Sequence, residues 1–295
     1  MTKQETIGWI GAGKMGLPIC VRLREAGYEV VVHAHSERSR AAAQANGFSH
    51  VERLDELAAA ADMIAASIPD DAALAHIVVG EGGLAASMAP GQILLELSTV
   101  SPDASAQAAG LLAAAGVAYL RAPVSGSTAR AAAGTLTAIV SGPRAVYERL
   151  EPVFAAFARK TFFVGEGEEA RVLKIAINGM VGATAALLAE ALALTAKGGI
   201  DTATALEVIG QSAVASPVIG YKRDMIVEGR YEPNFTVEQM MKDFDILLSV
   251  ARTVHAPLPL AAQIRQQYEA AWVAGHAQKD FFVLVKQMQD GCDTL

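Results

Sequence analysis

Thr6-Ile7-Gly8-Trp9-Ile10-Gly11-Ala12-Gly13-Lys14-Met15-Gly16 decides how this chain is read: an apolar, strand-like run leads directly into a turn of the form G-x-G-x-x-G. A helical stretch to Ala26 and a second β-rich run at Glu29–His33 complete a strand–turn–helix–strand unit. Three glycines alone are a weak signal, but inside such a unit they are specific. Gly11 permits the tight turn, Gly13 lets backbone approach a pyrophosphate, and Gly16 lets the helix pack close to its strand. The helix N-terminus adds N–H groups and the positive end of a dipole. A dinucleotide site is expected, with Gly11, Ala12, Gly13, Lys14, Met15 and Gly16 around the cofactor.

The end of the second strand bears on which dinucleotide. A site for NAD usually carries Asp or Glu there to accept the ribose 2′-hydroxyl. This chain reads Val32-His33-Ala34-His35-Ser36-Glu37-Arg38-Ser39-Arg40, so the expected acid position falls on Ala34. His35, Ser36 and Arg38 can instead hold a 2′-phosphate, with Arg40 in reserve. The missing acid and the basic replacements point the same way, so NADP is favoured over NAD.

Outward from this unit, β-rich runs alternate with alanine-rich helical stretches. Strands are expected at Thr6–Ile10, Glu29–His33, Met63–Ile68, Ile93–Leu97, Val117–Leu120, Leu136–Val140 and Thr161–Val164. Crossover helices such as Arg38–Asn46 and Pro102–Ala115 separate the first of them. Such alternation means a mostly parallel sheet covered on both faces, with a closing antiparallel edge as an option around Gly134. Past Gly165-Glu166-Gly167 the pattern turns helical, with helices at about Glu168–Lys197, Thr202–Gln211, Val237–Thr253, Leu260–Ala274 and Lys279–Gln289. The expected organisation is an α/β, Rossmann-like domain over 1–164 followed by an all-α domain over 165–295.

Composition narrows the function classes. The chain is 52% hydrophobic and 19% charged, a globular balance, and its net charge of −7 disfavours nucleic acid and anionic membranes. Cys20 and Cys292 show neither metal spacing nor a disulfide framework, which suits a reducing cytoplasm, and no signal peptide is visible. The apolar stretch Ile175–Thr195 is interrupted by Asn178 and Glu190 and reads as a buried helix at a domain or subunit contact. A homodimer or homotetramer is expected to cover its apolar face.

Four motifs in order, spread over essentially the whole chain, resemble the β-hydroxyacid dehydrogenase family. They are Gly11-Ala12-Gly13-Lys14-Met15-Gly16; Arg121-Ala122-Pro123-Val124-Ser125-Gly126-Ser127 running on to Gly134-Thr135-Leu136; Gly165-x-Gly167 with Lys174 and Asn178; and Phe235 with Lys242-Asp243. Ile68-Pro69-Asp70 and Ser98-Thr99-Val100-Ser101-Pro102 are smaller echoes. The resemblance implies a Rossmann-like domain joined by a long helix to a helical domain, with the substrate between them. It implies reversible hydride transfer between a nicotinamide and a small 3-hydroxy acid or the corresponding semialdehyde or keto acid. By motif position, Lys174 is the catalytic lysine and Asn178 its neighbour. Ser125, Gly126 and Ser127 hold the substrate carboxylate, and Ile68, Pro69, Thr99 and Lys242 contribute to the cofactor site. The chain departs from the pattern at Arg121, where Asp is usual, at Ser127, where Gly is usual, and at Gly179, where Asn or Gln is frequent. Arg121 offers either a second carboxylate clamp or a surface ion pair.

The chemistry wants such residues. Hydride transfer to a carbonyl leaves an alkoxide that must receive a proton, and a positioned lysine can supply it or remove it in the other direction. Lys174 stands in the apolar run Val172-Leu173-Lys174-Ile175-Ala176-Ile177, where burial favours the neutral amine. Asn178 follows at i+4, on the same helix face. Two other readings stay open: an imine reductase on the same fold, against which Lys174 argues, and a catalytically silent dinucleotide-binding sensor or scaffold.

Overall fold

The computed structural model describes residues 5–34 and 36–293. The chain divides into two compact units, Met1–Lys174 and Ile175–Leu295. The division comes ten residues later than the expected boundary at 164, because the first turn of the long helix packs with the sheet domain.

In the first unit, β1 (Thr6–Ile10), α1 (Gly16–Glu25), β2 (Glu29–His33), α2 (Glu37–Ala45) and β3 (Ser49–Val51) form the opening half. It continues through α3 (Leu54–Ala60), β4 (Met63–Ala66), α4 (Asp71–Val79), α5 (Leu84–Ser87), β5 (Ile93–Glu96), α6 (Pro102–Ala114) and β6 (Ala118–Arg121). The remainder is β7 (Val124–Ser125), α7 (Thr128–Ala132), β8 (Leu136–Ser141), α8 (Arg144–Phe157) and β9 (Ala158–Gly165). The sheet order is β3-β2-β1-β4-β5-β6-β8-β7, with β9 on β8. The first six strands are parallel and joined through helices, β8 runs antiparallel to β6 and β7, and β9 pairs parallel with β8. The strand order reverses beside β1, between β2 and β4, and such a reversal opens a crevice at the carboxyl ends of the strands.

Two apolar layers cover the sheet. Trp9, Ile19, Leu23, Leu95, Phe154 and Phe157 belong to one, and Ile10, Leu57, Ile64, Leu94 and Leu112 to the other. Full burial of each such side chain contributes about 1.5–3 kcal/mol. The alternation along β1 and β5 feeds both layers, as a sheet buried on two faces requires. Two strands lie outside the seven expected, β3 and β7. Each is too short to announce itself and exists through pairing with a longer neighbour.

The helix α9 (Glu169–Lys197) runs through the division and is 29 residues long. The second unit adds α10 (Thr202–Gln211), α11 (Pro217–Val227), α12 (Val237–Thr253), α13 (Pro259–Ala271) and α14 (Leu284–Asp293). Side chains set the starts: Asp201 caps α10, Ser216 caps α11, and Thr236 with Gln239 forms a reciprocal capping box on α12. α13 stops at Ala271, short of the expected Ala274, and a π turn over Trp272–His276 follows, with Gly275 at φ +83°. The stretch expected as a helix from Lys279 begins instead with a 3-10 turn, Phe281–Val283, capped by Asp280. Asp280 is buried, pairs with Lys222 at 2.5 Å, and accepts the N–H groups of Asn234 and Phe282, which fixes it to the turn. Phe244, Tyr268, Phe281 and Phe282 centre the core of this unit. α9 and α12 approach closely at Gly182, where a Cβ would stand 2.4 Å from Phe244 Cε2.

Candidate active site

The glycine turn sits at the carboxyl end of β1, at the reversal of strand order. Gly11 has φ +86°, and a Cβ there would lie 2.0 Å from the Ser67 carbonyl oxygen. A Cβ on Gly16 would meet the Gly11 carbonyl oxygen at 2.2 Å and Trp9 Nε1 at 2.7 Å, so α1 starts hard against β1. Around Gly13 nothing lies within 4 Å of where a Cβ would sit. Two of the three glycines are therefore demanded by the protein's own packing, and the third leaves an open cradle. No side chain caps α1, and its first turn holds no acid, so its positive end is not offset locally. An anionic pyrophosphate fits this cradle. Ala12 and Met15 are half-buried in the turn and Lys14 is exposed on it.

A cavity of about 600 Å³ opens beside the turn, lined by Ile10, Gly11, His33, Ser67, Ile68 and Pro69 and floored by Leu54 and Ile77. Ile68 and Pro69 are thus brought to Gly11, whereas Thr99, Ser36 and Arg38 do not line this cavity. The N–H of Ile68 donates to Ser98 Oγ at 2.7 Å, which ties the loop after β4 to the loop after β5. Glu52, Arg53, Asp55 and His76 also line the cavity and carry no sequence motif that would have found them. The Arg53 guanidinium, bonded to Asp55, holds that carboxyl down to about 2.

Where a 2′-acceptor acid would stand, Ala34 is fully buried and donates its N–H to the Val51 carbonyl. Ser36 spends its hydroxyl in a capping box with Ser39 at the start of α2. Arg38 is exposed on that first turn, and Arg40 pairs with Glu52 at 3.1 Å. His35 lies outside the described residues.

On α9, Lys174 is buried and Asn178 follows one turn later, half-buried. Asn178 Nδ2 donates to Asp243 Oδ2 at 2.5 Å, and Lys242 Nζ lies 3.1 Å from the other carboxylate oxygen. Asp243 is buried and fixes which end of the Asn178 amide turns away from it, leaving the carbonyl oxygen as the outward acceptor. Sequence reasoning gave Asp243 a motif but no role. The residue after Asn178 is glycine because Leu247 fills the space: a Cβ on Gly179 would stand 2.6 Å from Leu247 Cδ2.

Ser125 closes β7 opposite Thr137, and Gly126 follows at φ +140° with Leu136 and Arg130 against the place of its missing side chain. Ser127 caps α7, accepting the Arg130 N–H, so a side-chain oxygen stands where glycine is usual.

Of the two alternatives offered for Arg121, the structure shows an ion pair, but a buried one and not one at the surface. Arg121 is buried, its Nε donates to Glu168 Oε1 at 2.7 Å and to Ser105 Oγ at 3.2 Å, and its guanidinium stacks on Tyr119. The reason is Glu168, which brings a carboxylate to the turn before α9 and claims the cation. A second pair lies beside it: Arg171, completely buried, pairs with Glu96 and donates to the Ser98 carbonyl at 2.6 Å and to Tyr119 Oη at 3.0 Å. Burial alone would favour a neutral guanidine, but Glu96 and Tyr119 together offset it and hold Arg171 protonated, above its usual range. The sequence signal for this pair was present and simple: a glutamate closing the apolar strand Ile93–Glu96 needs a buried partner.

Comparisons with known proteins agree with the fold. A family model described as the NAD binding domain of 6-phosphogluconate dehydrogenase matches residues 6–165. Another, described as the NAD-binding region of NADP-dependent 3-hydroxyisobutyrate dehydrogenase, matches residues 168–288. The chain is 32% identical to 2-(hydroxymethyl)glutarate dehydrogenase of Eubacterium barkeri, over 97% of this chain and 95% of that one. It is 34% identical to L-threonate dehydrogenase of Cupriavidus necator, over 95% of each. Among solved structures, 3-hydroxyisobutyrate dehydrogenase of Salmonella typhimurium superposes with a TM-score of 0.88 at 27% identity, covering 96% of this chain and 99% of that one.

Proposed function

The chain belongs to the β-hydroxyacid dehydrogenase family of NAD(P)-dependent oxidoreductases acting on CH–OH groups, and from that premise we propose that it interconverts a small 3-hydroxy acid and its semialdehyde or keto acid, with NADP favoured and Lys174 as general acid and base. The observation that carries the reading is a buried lysine on α9 with Asn178 one turn on, its amide oriented by a buried carboxylate.

A nicotinamide supplies the acceptor or donor of the hydride. The chain's own residues do the rest. In oxidation, the substrate hydroxyl gives its proton to Lys174 Nζ as its carbinol hydrogen departs with both electrons. In reduction, Lys174 returns the proton to the oxygen that becomes an alkoxide. Asn178 presents its carbonyl oxygen to the same amine or to the substrate hydroxyl. Ser125 and the bare backbone at Gly126 receive the carboxylate, without adding a full charge. Gly13 and the start of α1 hold the pyrophosphate, and Ile68 and Pro69 wall the cavity beside it.

The NADP preference rests on Ala34, Arg38 and Arg40. No acid stands at Ala34 to bind a 2′-hydroxyl, Arg38 is exposed, and Arg40 neutralises Glu52, the acid that would otherwise repel a 2′-phosphate. A kcat/KM for NADH well above that for NADPH would reverse it.

The names of the similar enzymes point to a hydroxymethyl or polyhydroxy carboxylate. The decisive experiment is a cofactor-coupled screen in both directions over 2-(hydroxymethyl)glutarate, threonate, 3-hydroxyisobutyrate, succinic semialdehyde and glyoxylate, with a cyclic imine beside them. Turnover of the imine alone would replace this reading with an imine reductase. Lys174→Ala should lower kcat by roughly 10²–10⁴-fold while leaving cofactor affinity nearly intact. Survival of activity within a few-fold would remove the lysine from the mechanism.

The same reading takes the enzyme as a homo-oligomer. Met180, Leu187 and Leu194 recur every seven residues on α9 and are 72%, 65% and 74% exposed, an apolar stripe fitted to a second copy.

A further inference from the structure

The first turn of α9 is held by an unusual density of polar contacts, all within the first unit. Ser141 Oγ donates to the Gly167 carbonyl at 2.8 Å and accepts the Ala170 N–H at 3.3 Å. Glu168 carries Arg121, and Arg171 reaches Glu96 at the end of β5, the Ser98 carbonyl beyond it, Ser105 on α6 and Tyr119 on β6. Glu96 is satisfied on its other oxygen by the Ser98 N–H at 2.8 Å, and Ser105 Oγ accepts from both arginines.

Energy does not explain such a cluster. Each buried ion has given up its water, and an apolar pair of like volume would serve stability as well or better. What a planar guanidinium with fixed donors provides is geometry: its partners are satisfied in one position of the helix and in no other. Arg171 stands three residues before Lys174, close to the same side of the helix.

We propose that Arg171 is a positioning residue for the reaction: Glu96, Ser98, Ser105 and Tyr119 hold its guanidinium so that the start of α9 keeps one register on the sheet, and Lys174 keeps its place with it. The inference rests on Lys174 being the acid and base of the proposed function.

The test is a double-mutant cycle on the full-length enzyme, using NADPH and the substrate turned over fastest in the screen. Glu96→Leu with Arg171→Met removes both buried charges together and fills their space, so neither is stranded. The pair should lower kcat by about 10–100-fold, as a displacement of a catalytic group by roughly an ångström does. The Kd for NADPH, read by fluorescence titration, should stay within about twofold, and in a Lys174→Ala background the same two changes should cost less than about threefold. A folded variant with unchanged kcat overturns the proposal, and so does a loss equally large in both backgrounds, which is what a general structural role would give. Should the apolar pair fail to fold by circular dichroism, Arg171→Lys keeps the charge and loses the fork. A loss of about tenfold confined to the Lys174 background then supports the proposal, and no loss overturns it. If Lys174→Ala alone leaves activity standing, the lysine assignment fails and this inference with it, an outcome visible in the single variant and distinct from the others.

Discussion

Gly11 and Gly13 lie two residues apart in one turn and answer to different constraints. Gly11 is required by the chain itself, at φ +86° with the Ser67 carbonyl 2.0 Å from where a Cβ would sit. Gly11→Ala should lower stability by more than about 2 kcal/mol, seen as a fall in the urea midpoint, before any ligand is considered. Gly13 has open space around it, so Gly13→Ala should fold with a Tm close to the parent and lose NADPH affinity by at least about tenfold, because the methyl occupies ground the pyrophosphate needs. Equal affinity in the Gly13 variant would show that the phosphates bind elsewhere. Arg121 teaches a related lesson. Its departure from the family pattern is answered by Glu168 forty-seven residues on, so the two form one part-buried unit. Sequence spacing cannot reveal such complementarity, whereas the i, i+4 placement of Lys174 and Asn178 was readable because a helix makes it local.

At the scale of elements, close packing and open surface predict opposite effects of the same substitution. Gly182 of α9 faces Phe244 and Met240 at less than contact distance for a Cβ, so Gly182→Ala should destabilise the second unit by about 1–3 kcal/mol through overpacking. Gly210, exposed near the end of α10 with nothing within 4 Å, should be improved by alanine by roughly 0.4–1 kcal/mol. Chemical denaturation of both variants checks the pair. The boundaries that the sequence made legible are those set by local chemistry: α10 and α12 begin where Asp201 and Thr236 cap them, and α9 ends at Gly198-Gly199. The illegible ones depend on partners distant in the chain. β3 and β7 are held by neighbours, α13 gives way to a π turn at Trp272, and Asp280 turns a projected helix into a 3-10 turn by binding Lys222 on α11. Asp243 was missed as the anchor of Asn178 for the same reason, since sixty-five residues separate them.

Across the whole molecule, burial sets a response to alkali. Tyr119, Tyr268 and Tyr231 are raised by desolvation above the ordinary tyrosine value, Tyr231 to about 12. Above pH 10 the unfolded chain has lost these protons while the folded one keeps them. Stability is therefore full below about pH 10 and falls as pH climbs toward 12. Urea midpoints should hold from pH 8 to about 10 and decline above it, and Tyr268→Phe should flatten the decline. The stripe on α9 makes a second prediction at this scale: Leu187→Glu with Leu194→Glu should reduce the mass seen by light scattering to that of a single chain. A parent that already scatters as a single chain, or a mass unchanged by the substitutions, would rule out this stripe as an assembly surface.

The chain holds two tryptophans, and they fall one to each unit. Trp9 is sealed under the glycine turn with its indole nitrogen against the start of α1, while Trp272 stands 47% exposed in the π turn. Blue-shifted and red-shifted emission thus report on the two halves separately, without a label. Heating or denaturant should reveal by colour which half loosens first, and docking of reduced coenzyme beside the glycine turn should dim the blue component by energy transfer.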